Sequence, residues 1–119
     1  MSAFKLNLTI DQGATFDKTV TWKTGKPALP VDLTGATARM QIRAKIDSPT
    51  VLVSLTTENG GIVLGGATGD VTMRIEAVVT AAITWRAGVY DLEIVFADST
   101  VRRLLAGSVS VSPEVTRGP

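Results

Sequence analysis

The chain has 119 residues, of which 45% are hydrophobic and 19% are charged, a composition typical of one globular domain and not of a disordered segment. Twelve Lys and Arg against eleven Asp and Glu leave a net charge of +1, and the absence of a clustered positive excess argues against a nucleic-acid-binding surface. Cysteine and histidine are both missing, which removes disulfides, thiolate chemistry and the commonest general base and metal ligand.

Alternating apolar residues predict the first strand, and no continuous apolar run of a signal peptide or membrane span interrupts it. Its members are Phe4, Leu6, Leu8 and Ile10. We expect this strand to pair either with its own sheet or with the sheet edge of a neighbouring protein. Gly13 suits the turn that follows, and the shared parity of Phe16, Val20 and Trp22 predicts a second strand that buries them.

After a loop with two prolines at residues 24–30, the stretch "DLTGATARMQIRAK" predicts a turn and a third strand with two unlike faces. One parity carries Ala38, Met40, Ile42 and Ala44, and the other carries Arg39, Gln41, Arg43 and Lys45. The cationic row has three interpretations: a nucleic-acid surface, a protein contact or a solvated sheet face. We favour the solvated face, with Asp91 and Glu93 as cross-strand partners.

The middle of the chain predicts short strands separated by glycine-rich turns. Val51, Val53 and Leu55 indicate a fourth strand, and Asn59-Gly60 after it is a strong hairpin signal. Strands are then predicted at 62–64 and 71–75. Residues 76–85 break the alternation and predict about two helical turns ending near Trp85, whose exposure the sequence leaves open.

The C-terminal third predicts a strand at 90–96, a turn at 97–100, a strand at 101–105 with a β-bulge as an option, and a last strand through Val109 and Val111 that Pro113 ends. Eight or nine short strands with one helical turn predict an all-β fold, an antiparallel β-sandwich with immunoglobulin-like architecture. The expected organisation is an N-terminal strand or arm at 1–12, a sandwich domain at 13–112 and a C-terminal tail at 113–119.

No motif in the sequence points to catalysis, a metal or a cofactor. Asp91 and Glu93 are the best carboxylate pair, but two acids two residues apart on one strand are typical of a solvated surface. The glycine-rich stretch 57–70 has neither a phosphate-binding glycine order nor enough carboxylates for calcium. We therefore expect a non-enzymatic protein with no cofactor and no small-molecule substrate.

Several segments together resemble a family of short structural proteins of tailed bacteriophages, related in pattern to the N-terminal domain of baseplate upper proteins. The similar segments, within Gly13 to Arg117, include "DLTGATARMQIR", "TTENGGI", "YDLE" and "SPEVTR". The turn at Asp98-Ser99 departs from the Asp-Gly that family members often have. Baseplate upper proteins also continue into segments that hold the receptor-binding protein, whereas this chain stops at Pro119.

The resemblance implies a virion protein of the tail or baseplate, made in the bacterial host cytoplasm, that binds other phage structural proteins and copies of itself. A small adaptor, collar or fibre-attachment subunit is the favoured role, and head decoration or a carbohydrate-binding module are the alternatives. No nucleic acid or membrane is expected as a partner. The candidate interface residues are Phe4, Leu6, Leu8, Ile10, Arg39, Arg43, Trp85, Val115 and Arg117.

Overall fold

Two β-sheets face each other across one hydrophobic core in the computed structural model, which describes residues 3–117. The strands are β1 (Phe4–Lys5), β2 (Leu8–Asp11), β3 (Phe16–Thr21), β4 (Lys23–Thr24), β5 (Leu29–Pro30), β6 (Thr37–Arg43), β7 (Val53–Thr56), β8 (Ile62–Leu64), β9 (Asp70–Ile75), β10 (Ala87–Val95) and β11 (Val101–Ser112). A 3₁₀ turn at Gly66–Thr68 precedes β9, and one short helix, α1 (Ala77–Ala81), precedes β10. The predicted all-β class with a single helical interruption is confirmed, while immunoglobulin-like connectivity stays a prediction.

The larger sheet has the order β1-β11-β10-β6-β7, and β2 pairs with β11 beside β1. Its central strands β6, β10 and β11 are antiparallel, but β1 and β2 run parallel to β11. The smaller sheet has the order β3-β9-β8 and is antiparallel throughout, and β4 and β5 form a separate two-stranded ribbon. In this arrangement β7 and the β1–β2 pair are the edges of the larger sheet, and β3 and β8 are the edges of the smaller one.

The core forms because apolar residues recur at every second position and so point to the same face of each strand. In β6 the buried side chains are Ala38, Met40 and Ile42, as the alternation predicts. In β9 they are Val71, Met73 and Ile75, which face them from the smaller sheet. Leu8 and Ile10 of β2 are also buried, so β2 contributes side chains to the core of the larger sheet.

A β-bulge interrupts the ladder between β10 and β11. Leu92 pairs with Leu105 whereas Glu93 pairs with Arg103, which leaves Leu104 as the extra residue. An extra residue shifts the parity of side chains, and as a result both Leu104 and Leu105 are buried while Arg102 and Arg103 are both exposed. The structure has one continuous strand, β11, where we expected two.

Three other predictions from the sequence are wrong. The single first strand that we expected from Phe4 to Ile10 is divided into β1 and β2, with residues 6–7 between them. The Asn59-Gly60 turn does not close a hairpin: it carries the chain from β7 in the larger sheet to β8 in the smaller one, because the Asn59 side chain satisfies local backbone groups whichever sheet follows. Lys45 does not belong to the cationic row, since β6 ends at Arg43 and Lys45 lies in a bend beyond it.

The segment that follows β11 contacts the turn between β2 and β3. The Gln12 side chain donates to the Ile83 carbonyl oxygen (3.0 Å) and accepts from the Glu114 backbone N–H (3.1 Å). Gly13 has a positive φ of 85°, and the Glu114 side chain occupies the space that a Cβ would need there. Residues that follow β11 are thereby held against the turn that follows β2.

Candidate functional site

The most distinctive surface is a cleft between two open strand edges. One wall is the outer edge of β1 and β2, which pair only with β11, and the other is β3, which pairs only with β9. Residues 4–11 and 16–21 are close enough to line common depressions of about 400 Å³ and about 280 Å³, yet no backbone hydrogen bond joins these two segments. We call this feature the edge cleft. Its walls present unpaired backbone groups of the kind to which an additional strand can bind.

One end of the edge cleft is apolar with a positive rim. Its floor and sides include Phe4, Trp22, Leu104 and Leu105, and Phe4 is 51% exposed. Lys5 and Lys23 lie at the same end, on opposite walls, and both are exposed. Neither lysine forms a salt bridge with any residue in the described part of the chain. The positive charge of this end is therefore available to a carboxylate from outside.

The other end of the edge cleft is polar. Asp11 and Asp17 line it together with Lys18. Lys18 pairs in register with Met73 of β9. It lies on the same face of β3 as Phe16 and Val20, which is the face toward the core. The shared parity of Phe16, Lys18 and Val20 is visible in the sequence, but their position beside β1 and β2 is not. No pattern in the sequence marks Lys5, Lys18 or Lys23 as residues of one surface.

The outer face of the larger sheet is the second surface that the sequence pointed to. Arg39 Nε contacts Glu93 Oε1 at 2.8 Å across β6 and β10, and Arg103 Nε lies 3.4 Å from Asp91 Oδ2 across β10 and β11. Arg43 donates to the Ser48 carbonyl oxygen (2.6 Å) and to Gln41 Oε1 (2.8 Å). Arg39 and Arg103 thus have carboxylate partners on their own sheet, and Arg43 bonds to Gln41 on the sheet and to the loop that follows β6. A depression of about 430 Å³ lies above Gln41, Arg43 and Val89, with the exposed side chain of Ile46 at its border.

The predicted interface residues do not form one surface. Phe4 and Leu6 line the apolar end of the edge cleft and the largely buried Leu8 lines its polar end, whereas Ile10 is fully buried and does not reach the surface. Trp85 is half-buried against the core. Val115 is 92% exposed and Arg117 is exposed, and both follow the segment that Glu114 holds against Gly13.

Few ionisable groups are perturbed. Burial raises the pKa of Tyr90 to about 12, and its hydroxyl donates to the Leu6 carbonyl oxygen at 2.6 Å. Hydrogen bonds from Thr34 lower the pKa of Asp32, and hydrogen bonds from Thr100 lower that of Asp98. Both aspartates stabilise turns by this means. Within residues 3–117 no three acidic side chains are grouped as metal ligands, and no helix is long and apolar enough to cross a membrane.

Comparison of the sequence with protein-family models and with curated proteins found no match.

Proposed function

We propose that this chain is a non-enzymatic structural subunit of a tailed-bacteriophage particle, acting in the tail or baseplate as a small adaptor or fibre-attachment protein. The resemblance of the sequence to phage structural proteins suggests the setting. The observation that supports the mode of action is the edge cleft, where two open strand edges flank an apolar surface that includes the half-exposed Phe4. Strand edges of this kind are common sites of association between β-domains.

Assembly at a strand edge suits a subunit that acts in many copies. Each contact is modest in area, and repetition around a symmetric particle compensates for weak individual affinity. The partners on this proposal are other structural proteins of the phage and neighbouring copies of the chain.

A carbohydrate-binding module is the alternative from a different functional class. A sugar platform needs at least two exposed aromatic rings on one face. Of the six aromatic side chains only Phe4 is exposed, while Trp22 and Tyr90 are buried and Phe16, Trp85 and Phe96 are half-buried. This distribution favours the assembly role.

Immunogold labelling of purified particles of the encoding phage tests the proposal. Label at the tail tip or baseplate is the expected result and would also identify the neighbouring proteins by position. Label over the capsid would assign the same fold to head decoration instead. Intact virions without label, from a lysate in which the antibody detects the protein, would refute a structural role.

A further inference from the structure

We infer that the edge cleft binds an extended segment of a partner protein in which an acidic residue is next to a large apolar residue. The inference rests on the assembly role proposed above and adds to it the chemistry of the partner. The apolar side chain would enter the space between Phe4, Trp22 and Leu105, and the carboxylate would lie between Lys5 and Lys23. The backbone of the segment would pair with the open edge of β3.

The shape of the site supports an extended occupant. β3 has six residues and is the longest outermost strand in the described part of the chain, compared with four in β7 and three in β8. Six residues of strand span about 20 Å, so a segment of comparable length can pair along the whole edge. The opposite wall, β1 and β2, then covers the other side of the bound segment.

Charge complementarity determines the kind of residue at each end. Lys5 and Lys23 approach the apolar end from opposite walls with no salt-bridge partner in residues 3–117, which favours a carboxylate there. At the polar end Asp17 is already paired with Arg74 (3.3 Å) and Asp11 shares the end with Lys18, which favours a neutral residue there. An acidic residue is therefore favoured at the apolar end alone, and this fixes the direction in which a charged segment lies.

A second copy of the chain is a poorer occupant. A pair of two β3 edges would bring two Lys18 cations into one interface, where like charges oppose pairing, whereas a partner segment with an acidic residue adds no cation. The tail is also unsuitable, because Glu114, the acid beside its apolar Val115, is held against Gly13, and the next charged residue is the cation Arg117.

Selection of a displayed library of random dodecapeptides against the full chain tests the inference. Binders are expected to share an Asp or Glu beside a large apolar residue. Changing that acid to Lys should weaken binding of the synthetic peptide about fivefold to tenfold, as two partly solvated charge contacts are lost. N-methylation of the alternate peptide amides that face β3 should abolish binding, because strand pairing needs those N–H groups, and the other alternate set should have the smaller effect.

The matched protein variants are Lys5→Glu/Lys23→Glu in the cleft and Lys45→Glu, which is exposed in a bend outside it. The double variant should reverse the preference so that the Lys peptide binds better, and Lys45→Glu should leave it unchanged, with circular dichroism verifying that both fold. No selected binder, binders indifferent to the double variant, or equal binding of N-methylated peptides would each overturn the inference. Concentration-dependent dimerisation that the double variant abolishes would assign the cleft to a second copy.

These outcomes are separable from those of particle labelling. Peptide selection that succeeds while virions carry no label would refute the phage role and retain the strand-binding cleft. Labelled virions with no peptide selectivity would retain the structural role and reject the cleft as its binding site.

Discussion

Thr80 is a buried polar side chain that joins helix α1 to the turn at residues 13–14. Its hydroxyl accepts from the Gly13 N–H (3.1 Å) and can donate to the carbonyl oxygen of Ala14 (2.8 Å) or of Ala77 (3.1 Å). Thr80→Val preserves the shape but leaves these backbone groups without a partner. We expect the free energy of unfolding to fall by about 1–3 kcal/mol, as measured by urea denaturation.

Thr72→Val is the matched control for this substitution. The Thr72 hydroxyl bonds Thr19 Oγ1 at 2.8 Å on the exposed face of β9, where water can replace the lost bond. Its effect should stay within about 0.5 kcal/mol. Equal losses in the two variants would show that the hydrogen bonds of Thr80 do not stabilise the turn.

Because of Tyr90, the stability of the folded protein should depend on pH in the alkaline range. Its pKa is about 12 in the folded protein because burial disfavours the phenolate, whereas the ordinary value is 10.0. Below pH 10 the phenol is neutral in both the folded and the unfolded state, so its contribution is fully present. Between pH 10 and 12 the unfolded chain releases the proton more readily, and the free energy of unfolding falls as the pH rises through this range.

Absorbance of tyrosinate near 295 nm measures this pKa without ambiguity, since Tyr90 is the only tyrosine of the sequence. The midpoint should lie near 12 in buffer and near 10 in concentrated urea. Tyr90→Phe should be less stable than the parent at pH 8, having lost the bond to the Leu6 carbonyl oxygen, and the difference should shrink or change sign as the pH rises above 10. A midpoint near 10 in the folded state would contradict the burial of the hydroxyl.

At the scale of elements, the two faces of β6 should respond differently to truncation. Met40 is buried between the sheets, and Met40→Ala should cost about 2–5 kcal/mol through lost apolar contact and a cavity. Gln41, its neighbour on the outer face, is exposed, and Gln41→Ala should change stability by less than about 0.5 kcal/mol. Thermal or urea unfolding of the two variants tests the assignment, and similar losses in both would contradict it.

The sequence predicts single strands of this protein better than it predicts their partners. Alternation identifies β6 and β10 because burial repeats every second residue, and the Leu104-Leu105 pair made a bulge an option because it breaks that repeat. The partner of a strand depends on distant segments. Asn59-Gly60 has the chemistry of a tight turn, and that chemistry is the same whether the next strand pairs with β7 or crosses to the other sheet.

The edge cleft shows the same limit for functional surfaces. Phe4 and Leu6 were identified as interface candidates because they belong to a strand that precedes the main pattern. Lys5 and Lys23 lie about twenty positions apart along the chain, and they line the same end of the cleft only because β1 lies beside the end of β3, which Lys23 follows as the first residue of β4. Local pattern cannot reveal such a juxtaposition. The cationic row on β6 was easier to recognise, yet its arginines bond to groups of their own sheet.

The N-terminal strands β1 and β2 complete the larger sheet by pairing with β11, a strand about a hundred residues later in the chain. β1 and β2 pair in parallel with β11, and β2 contributes the buried Leu8 and Ile10 to the core. Their removal should cost more than about 4 kcal/mol, since each side chain is worth about 2 kcal/mol or more in such a position. That loss is comparable to the total stability of many small domains.

Deleting residues 1–11 should therefore give a chain that is largely unfolded at 25 °C, as judged by circular dichroism and by tryptophan fluorescence. The control variant Thr9→Ala, which changes an exposed side chain, should unfold at a urea concentration close to that of the parent. A synthetic peptide of residues 3–12 should restore the fold of the truncated chain, because it resupplies the strand that pairs with β11, whereas a scrambled peptide should not. If the truncated chain unfolds at the same urea concentration as the parent, residues 1–11 are an arm outside the cooperative domain, and one wall of the edge cleft is then not fixed in place.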